Sequence, residues 1–277
     1  MNMKSILSIH SLHDKLQDIE NILEFAAINQ VHLDLVILAP LIRPIVTSDS
    51  LVLSDYTLEE NRLLPEKCKK QKDSILEIAD QKGLSITVAI EIADMAEFSN
   101  IITNYANCSD CLVLNRNKIM LSDLIGKHFV KVLMDVSCPT LLLAGTIPDL
   151  SDLNTVMVSW DGGIASATAI RHAVPILQAA EDTALVIVDP VPSKEGEAAG
   201  DDMALYLVRH GINVTVDLIP SGGCSIAQAL FRKAEDLNAD LVVMGGYGRS
   251  RLREWILGGT TKETLAKADR SVFMAHG

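Results

Sequence analysis

Aromatic side chains are scarce in this chain: two Trp, four Tyr and five Phe make up 4% of 277 residues. A core with so few rings is aliphatic, which suits parallel sheets covered by helices on both faces. Positive charge is also in deficit. The 24 Lys and Arg face 36 Asp and Glu, for a net charge of −12. That balance argues against general affinity for nucleic acid or anionic lipid, a local basic patch aside. No apolar run reaches the length needed to cross a bilayer. The apolar part of the first ten residues is too short for a signal peptide and reads as a first strand. Five cysteines, an odd number in a long chain, do not suggest a disulfide framework. The expectation is a reduced, cytoplasmic protein. Hydrophobic residues at 48% and charged residues at 22% provide for a sizeable core.

What is present is alternation. Lys4 to His10 reads as a strand and Asp14 to Asn29 as an amphipathic helix. Leu33 to Ala39 reads as a buried strand ended by Pro40, and Leu41 to Tyr56 as a loop. A long helix follows over Thr57 to Lys82, with Pro65 near its start and Gly83 as its stop. Leu84 to Ile92 is a strand, Asp94 to Ala106 a helix, Cys111 to Leu114 a strand, Asp123 to Val136 a helix and Thr140 to Ala144 a strand. The same order recurs. Strands are expected at Thr155 to Trp160, Ala184 to Asp189, Asn213 to Ile219, Leu241 to Met244 and Val272 to Ala275. Helices are expected at Ala165 to Ala180 (with a kink or break at Pro175), Asp201 to His210, Ser225 to Leu237 and Thr261 to Ala268. Strand–helix alternation of this kind specifies parallel, doubly wound sheets. The halves also align by residue. Ser109-Asp110 to Leu114 matches Ala239-Asp240 to Met244, and Leu141 to Gly145 matches Phe273 to Gly277. The chain reads as a duplication, residues 1–145 and 153–277, with the turn-rich linker near Gly145 to Asp152.

The segment Asp240 to Thr261 carries the candidate chemistry. An apolar strand runs into Gly245, Gly246 and Gly248, then an arginine-rich stretch, then Gly258-Gly259-Thr260-Thr261 and a helix. Glycines between a strand and a helix start let backbone N–H groups approach an anion. The plainer alternative is a sharp turn whose glycines serve tight packing.

Here the chain resembles the universal stress protein family in its tandem two-domain form. The nucleotide-binding members carry Gly, two residues, Gly, nine residues, Gly, then Ser or Thr, matched by Gly245, Gly248 and Gly258. The resemblance implies an α/β fold of two tandem doubly wound domains. Each would be a five-stranded parallel sheet flanked by helices, of the adenine nucleotide alpha hydrolase type, and the two would pack as a pseudo-dimer through their fifth strands. It implies an adenine nucleotide, ATP or AMP, with Mg2+ as a companion ion, bound in residues 153–277. Asp161 would hold the ribose part, Val188 would lie near the adenine, and Met244, Gly245, Gly248, Gly258 and Gly259 would wrap the remainder. Apart from the resemblance, Arg249, Arg251 and Arg253 alternate beside the cradle and read either as a screen for phosphate charge or as a solvated turn face. Gly259 stands where the family has Ser or Thr, so Thr260 or Thr261 would supply the hydroxyl. The first half carries Asn115-Arg116-Asn117-Lys118 in place of the glycines and Ser11 in place of Asp161, and reads as a degenerate copy.

The implied role is regulatory in a stress response, with a protein partner, a homodimer, and no nucleic acid or membrane. Two alternatives stand beside it: slow ATP hydrolysis at the same cradle, and an interaction protein without ligand. No general acid–base pair stands out, and no catalytic or metal residue is assigned. Cys108-Ser-Asp-Cys111 lies at a helix end rather than a helix start and reads as structural. Cys224, before a helix, reads as a small buried residue with a reactive thiol as the alternative. Arg116 and Lys118 read as a solvated basic turn, with an anion site as the alternative.

Overall fold

The computed structural model describes residues 3–42, 45–47, 50–52, 55–116, 136–190, 199–246 and 259–276. The chain divides into two compact units, one holding residues 4–110 and the other residues 138–277 together with the strand Cys111–Asn115.

In the smaller unit, β1 (Ser5–Ser11), β2 (His32–Pro40) and β5 (Ile86–Ala93) form parallel strands in the order β1-β2-β5. Central β2, His-Leu-Asp-Leu-Val-Ile-Leu-Ala-Pro, is buried from Leu35 to Ala39, as an apolar run covered on both faces requires. Helix α1 (Leu16–Asn29) buries Ile19, Ile22, Leu23, Phe25 and Ala26, and Gln30 closes it in a left-handed cap. Helix α2 (Asp55–Gln81) contains Pro65 at its eleventh position, deeper than the sequence suggests, and continues through it. The segment read as a loop between β2 and α2 holds a short antiparallel hairpin, β3 (Ile45–Thr47) and β4 (Ser50–Val52). Residues 95–97 form a 3-10 turn capped by Asp94, and α3 (Phe98–Ala106) follows.

The larger unit has the strand order β10-β9-β8-β11-β12-β7-β6. Here β6 is Cys111–Asn115, β7 Thr140–Leu143, β8 Thr155–Ser159, β9 Asp182–Val188, β10 Val214–Ile219, β11 Leu241–Gly245 and β12 Ser271–Ala275. All pairs are parallel except β12 with β7, where Leu141 faces Phe273 and Leu142 faces Val272. The fifth strands of the two halves therefore meet, as expected, and their backbone edges are covered. Helices α4 (Ile164–Leu177), α5 (Asp201–Arg209), α6 (Ile226–Asp236) and α7 (Gly259–Lys267) connect the strands. No break occurs at Pro175. Helix α4 continues through it and ends two residues later, so most of its upstream ladder is kept. Helix α6 starts at a capping box between Ser225 and Gln228. The helix expected over Asp123 to Val136 lies, but for Val136, outside the described residues.

The fold is thus α/β with a large, mostly parallel sheet flanked by helices. Asp110 and Asp240, matched by sequence, perform the same task in the two units. Asp110 Oδ2 accepts from the N–H groups of Lys4 (2.7 Å) and Ser5 (3.0 Å). Asp240 Oδ2 accepts from those of Asn154 (2.7 Å) and Thr155 (3.0 Å). Each carboxylate ties the start of a first strand to the approach of a fourth.

Candidate functional site

Strand β8 has β9 on one side and β11 on the other. Chains leaving the carboxyl ends of β8 and its neighbours diverge there, which opens the crevice where ligands of doubly wound sheets bind. The topology brings three of the expected residues to these ends: Asp161 just past β8, Val188 closing β9, and Gly245 closing β11.

Asp161 is exposed, and its carboxylate is held through one oxygen. Oδ1 accepts from the Gly163 N–H (2.8 Å) and the Ser166 hydroxyl (2.6 Å), and Ser166 Oγ also lies 2.9 Å from the Gly163 carbonyl. The bond to Gly163 satisfies an N–H at the start of α4 that the helix leaves unpaired. Oδ2 makes no hydrogen bond to any described residue.

Gly245 lies against the same helix start. A Cβ there would sit 2.6 Å from Ser166 N, 2.9 Å from the Ala165 carbonyl carbon and 3.0 Å from Ser166 Cα. These are backbone atoms, so the missing side chain at 245 is required by packing. At Gly246 the nearest atom to a Cβ, among the described residues, would be the Ala275 carbonyl oxygen at 3.5 Å, an ordinary contact. Met244 is buried, and Thr264 of α7 sets its hydroxyl 3.6 Å from the Met244 sulfur. Thr260 is half-buried and Thr261 buried, both in the first turn of α7, which begins at Gly259. Gly248, Arg249 and Gly258 lie outside the described residues.

Sequence reading passed over Asp189, the residue after Val188. It adopts a left-handed φ of 47°, and its Oδ1 accepts from Ser221 N–H at 2.9 Å. Hydrogen bonds from Ser221 hold its carboxyl below the usual carboxylate range. Asp tolerates this backbone region, so the residue closes β9 in a turn that most side chains would strain. Cys224 is half-buried rather than buried, its thiol donating to the Ser221 carbonyl (2.6 Å) with Arg232 Nη2 3.4 Å from the sulfur.

The corresponding strand ends of the smaller unit are apolar. Ala39, Leu64 and Cys68 form a buried cluster, with Leu12, Ile90 and Ile92 packed on it. Burial pushes the Cys68 thiol up. Next to it, Ser8, His10 and Asp14 come together, an array not visible in the sequence. His10 Nε2 is 3.0 Å from Ser8 Oγ and Nδ1 is 3.3 Å from Asp14 Oδ2. Ser8 is 1% exposed, so no substrate reaches its hydroxyl, and the array satisfies a buried ring. The only forewarning was that Ser8 and His10 share one face of a strand. Arg116 is not a solvated turn residue: its guanidinium donates to the Ala268 carbonyl (2.6 Å), beyond the last turn of α7. Cys108 is exposed and Cys111 buried, each a thiol rather than half of a disulfide. Among the described residues no group of His, Cys, Asp or Glu is placed to hold a metal, and no helix is long and apolar enough to cross a membrane.

Fold and strand ends together define a doubly wound α/β protein with an exposed carboxylate at the switch point of one unit and an apolar cluster at the corresponding strand ends of the other. Comparison with known proteins adds a family likeness for part of the chain. Residues 220–276 match the model of the Universal stress protein family, and the resemblance read from the glycine spacing is thereby shown. The chain is similar to the crystal structure of a universal stress protein from Archaeoglobus fulgidus DSM 4304. Identity is 17%, with 97% of this chain and 94% of that one covered and a TM-score of 0.68. A Pseudomonas aeruginosa UCBPP-PA14 protein assigned to the same family is similar at 17% identity, 99% and 94% coverage and a TM-score of 0.56. The cytoplasmic domain of a prokaryotic cation chloride cotransporter is similar at 12% identity, 100% and 96% coverage and a TM-score of 0.51. No curated protein matches the chain. The family match supports a stress-response role.

Proposed function

We propose that residues 153–277 bind an adenine nucleotide, ATP or AMP, and that occupancy serves a regulatory stress-response role in the cytoplasm. The observation that carries this reading is the Asp161 carboxylate at the switch point, anchored through Oδ1 with Oδ2 free in an exposed position. A ribose diol needs such an acceptor. Half-buried Val188 offers apolar contact, and the backbone from Gly246 leads into the glycine-spaced segment whose N–H groups suit phosphate. Thr260 is the more accessible of the two hydroxyls that follow Gly259. Mg2+ would accompany a triphosphate.

Residues 1–145 are a degenerate copy of the same domain. Its strand ends are filled by Leu12, Leu64, Ile90 and Ile92, and Arg116 is spent on a helix end. The tandem reading is supported by the matched roles of Asp110 and Asp240. A protein partner and a homodimer belong to the same proposal.

The test is release of bound nucleotide on denaturing freshly purified protein, with calorimetric titration by ATP and AMP. One equivalent of adenine nucleotide per chain is expected. No release together with no binding of either overturns the reading. A single-turnover assay for phosphate release separates binding from slow hydrolysis, and the expected result is phosphate at the blank level.

A further inference from the structure

We propose that Ser166 is a positioning residue of this site, holding the Asp161 carboxylate so that one oxygen faces the ligand. The proposal rests on the adenine-nucleotide reading and names the residue that sets its ribose contact. Ser166 is the third residue of α4 and is 3% exposed. It is too deeply buried to meet a ligand itself. Its hydroxyl lies 2.6 Å from Asp161 Oδ1 and 2.9 Å from the Gly163 carbonyl. The proton goes to the carboxylate at the shorter distance, and a charge-assisted bond of this kind is stronger than a neutral one.

With the Gly163 N–H on the same oxygen, two donors fix Oδ1 and define the plane of the carboxylate. Oδ2 is left as the acceptor. Ser166 itself cannot shift toward α4's neighbours, because its backbone N and Cα lie where a Cβ on residue 245 would be. The end of β11, the start of α4 and the carboxylate are thus one rigid contact. Without the hydroxyl, one of two anchors is lost, and the exposed Asp161 side chain samples other rotamers before it meets a ribose.

Affinities for ATP and for 2′,3′-dideoxy-ATP should be measured on the full chain, as wild type, Ser166→Ala and Ser166→Thr. The wild type is expected to prefer ATP by about tenfold, the worth of a hydrogen bond to a charged acceptor. Ser166→Ala is expected to lower that preference to about threefold or less through weaker ATP binding alone, and Ser166→Thr to restore it. A general loss of structure would weaken both ligands together. Preference retained in Ser166→Ala overturns the positioning role and leaves nucleotide binding standing. A wild type that binds neither ligand, nor AMP in the same titration, overturns the nucleotide reading, and this inference with it. Should Ser166→Ala not fold, Asp161→Ala decides. It removes both the anchored oxygen and the free one, so a retained preference for ATP over the dideoxy analogue refutes the assignment of Oδ2.

Discussion

Replacing Gly245 by Ala places a methyl group into backbone. The Cβ would lie 2.6 Å from Ser166 N, with two more atoms of the α4 start at 2.9 and 3.0 Å. An ordinary carbon contact is about 3.5–4 Å. Relief therefore requires the end of β11 and the first turn of α4 to separate by roughly 1 Å, because no side chain is available to rotate away. Overpacking of this kind costs about 1–3 kcal/mol. Against it stands the lower entropy of an unfolded chain with Ala, worth about 0.4–1 kcal/mol where the backbone accepts the change. Gly245 does not have a positive φ, so that gain applies. The net expectation is a loss of about 1–2 kcal/mol, or roughly 3–6 °C in melting temperature. Gly246→Ala gains the same entropy, and its Cβ would meet nothing closer than 3.5 Å among the described residues. It should be neutral or more stable by up to about 1 kcal/mol. Both tryptophans, Trp160 and Trp255, lie in residues 138–277, so urea unfolding followed by tryptophan fluorescence reports on the unit that changes. The two substitutions should move the midpoint in opposite directions. A Gly245→Ala protein as stable as the wild type, or a Gly246→Ala protein equally damaged, refutes the packing account of the glycine pair.

Asp110→Ala and Asp240→Ala each remove a carboxylate that accepts two backbone N–H groups at a strand start. Each should cost about 1–2 kcal/mol, and the double variant should show their sum, since the sites are separate. Unfolding midpoints of the three proteins check this, and a single variant indistinguishable from wild type would refute the shared role. Alkaline stability follows from Tyr105. Burial first, then the 2.7 Å bond to the Glu91 carboxylate and the charges of Glu91 and Asp34, push its phenol up to about 12 from the usual 10. The folded state keeps a proton that the unfolded chain gives up. The stabilisation is thus complete below about pH 10 and falls as pH rises towards 12. Tyr105→Phe should flatten the unfolding midpoint over that window, and an unchanged slope refutes the raised phenol.

Much of the fold was readable because its periodicities are local. The buried runs Leu33–Ala39 and Leu241–Met244, the helical spacing of Ile19, Ile22, Leu23 and Ala26, and the stops at Gly83 and Gly211 each lie within a few residues of what they specify. The hairpin at Ile45–Val52 was missed because two three-residue strands are too short to show alternation. Pro175 misled because its cost depends on its distance from the helix end, a boundary that the sequence does not mark sharply. The Ser8–His10–Asp14 array and the Arg116 bond to Ala268 were not readable at all. The first needs the turn after β1 to fold back, and the second joins positions 152 apart in the chain.

Gly245 and Asp161 separate what packing explains from what it leaves over. A motif spaced Gly, two residues, Gly has one appearance whether its first glycine yields room to a phosphate or to a helix. At Gly245 the room is taken by Ala165 and Ser166, so the glycine would be needed in a protein that binds nothing. Its presence is therefore no measure of nucleotide binding. Asp161 differs. Capping α4 engages Oδ1, and the positive end of the helix favours a negative charge there by about 0.3–1 kcal/mol. Neither effect requires that the second oxygen be held in a fixed direction at an exposed switch point. The buried Ser166 hydroxyl fixes that direction. On the proposed reading, the functional information in this half of the chain lies less in its glycines than in the five-residue interval from Asp161 to Ser166, where a buried hydroxyl holds one oxygen of an exposed carboxylate and leaves the other to a ligand.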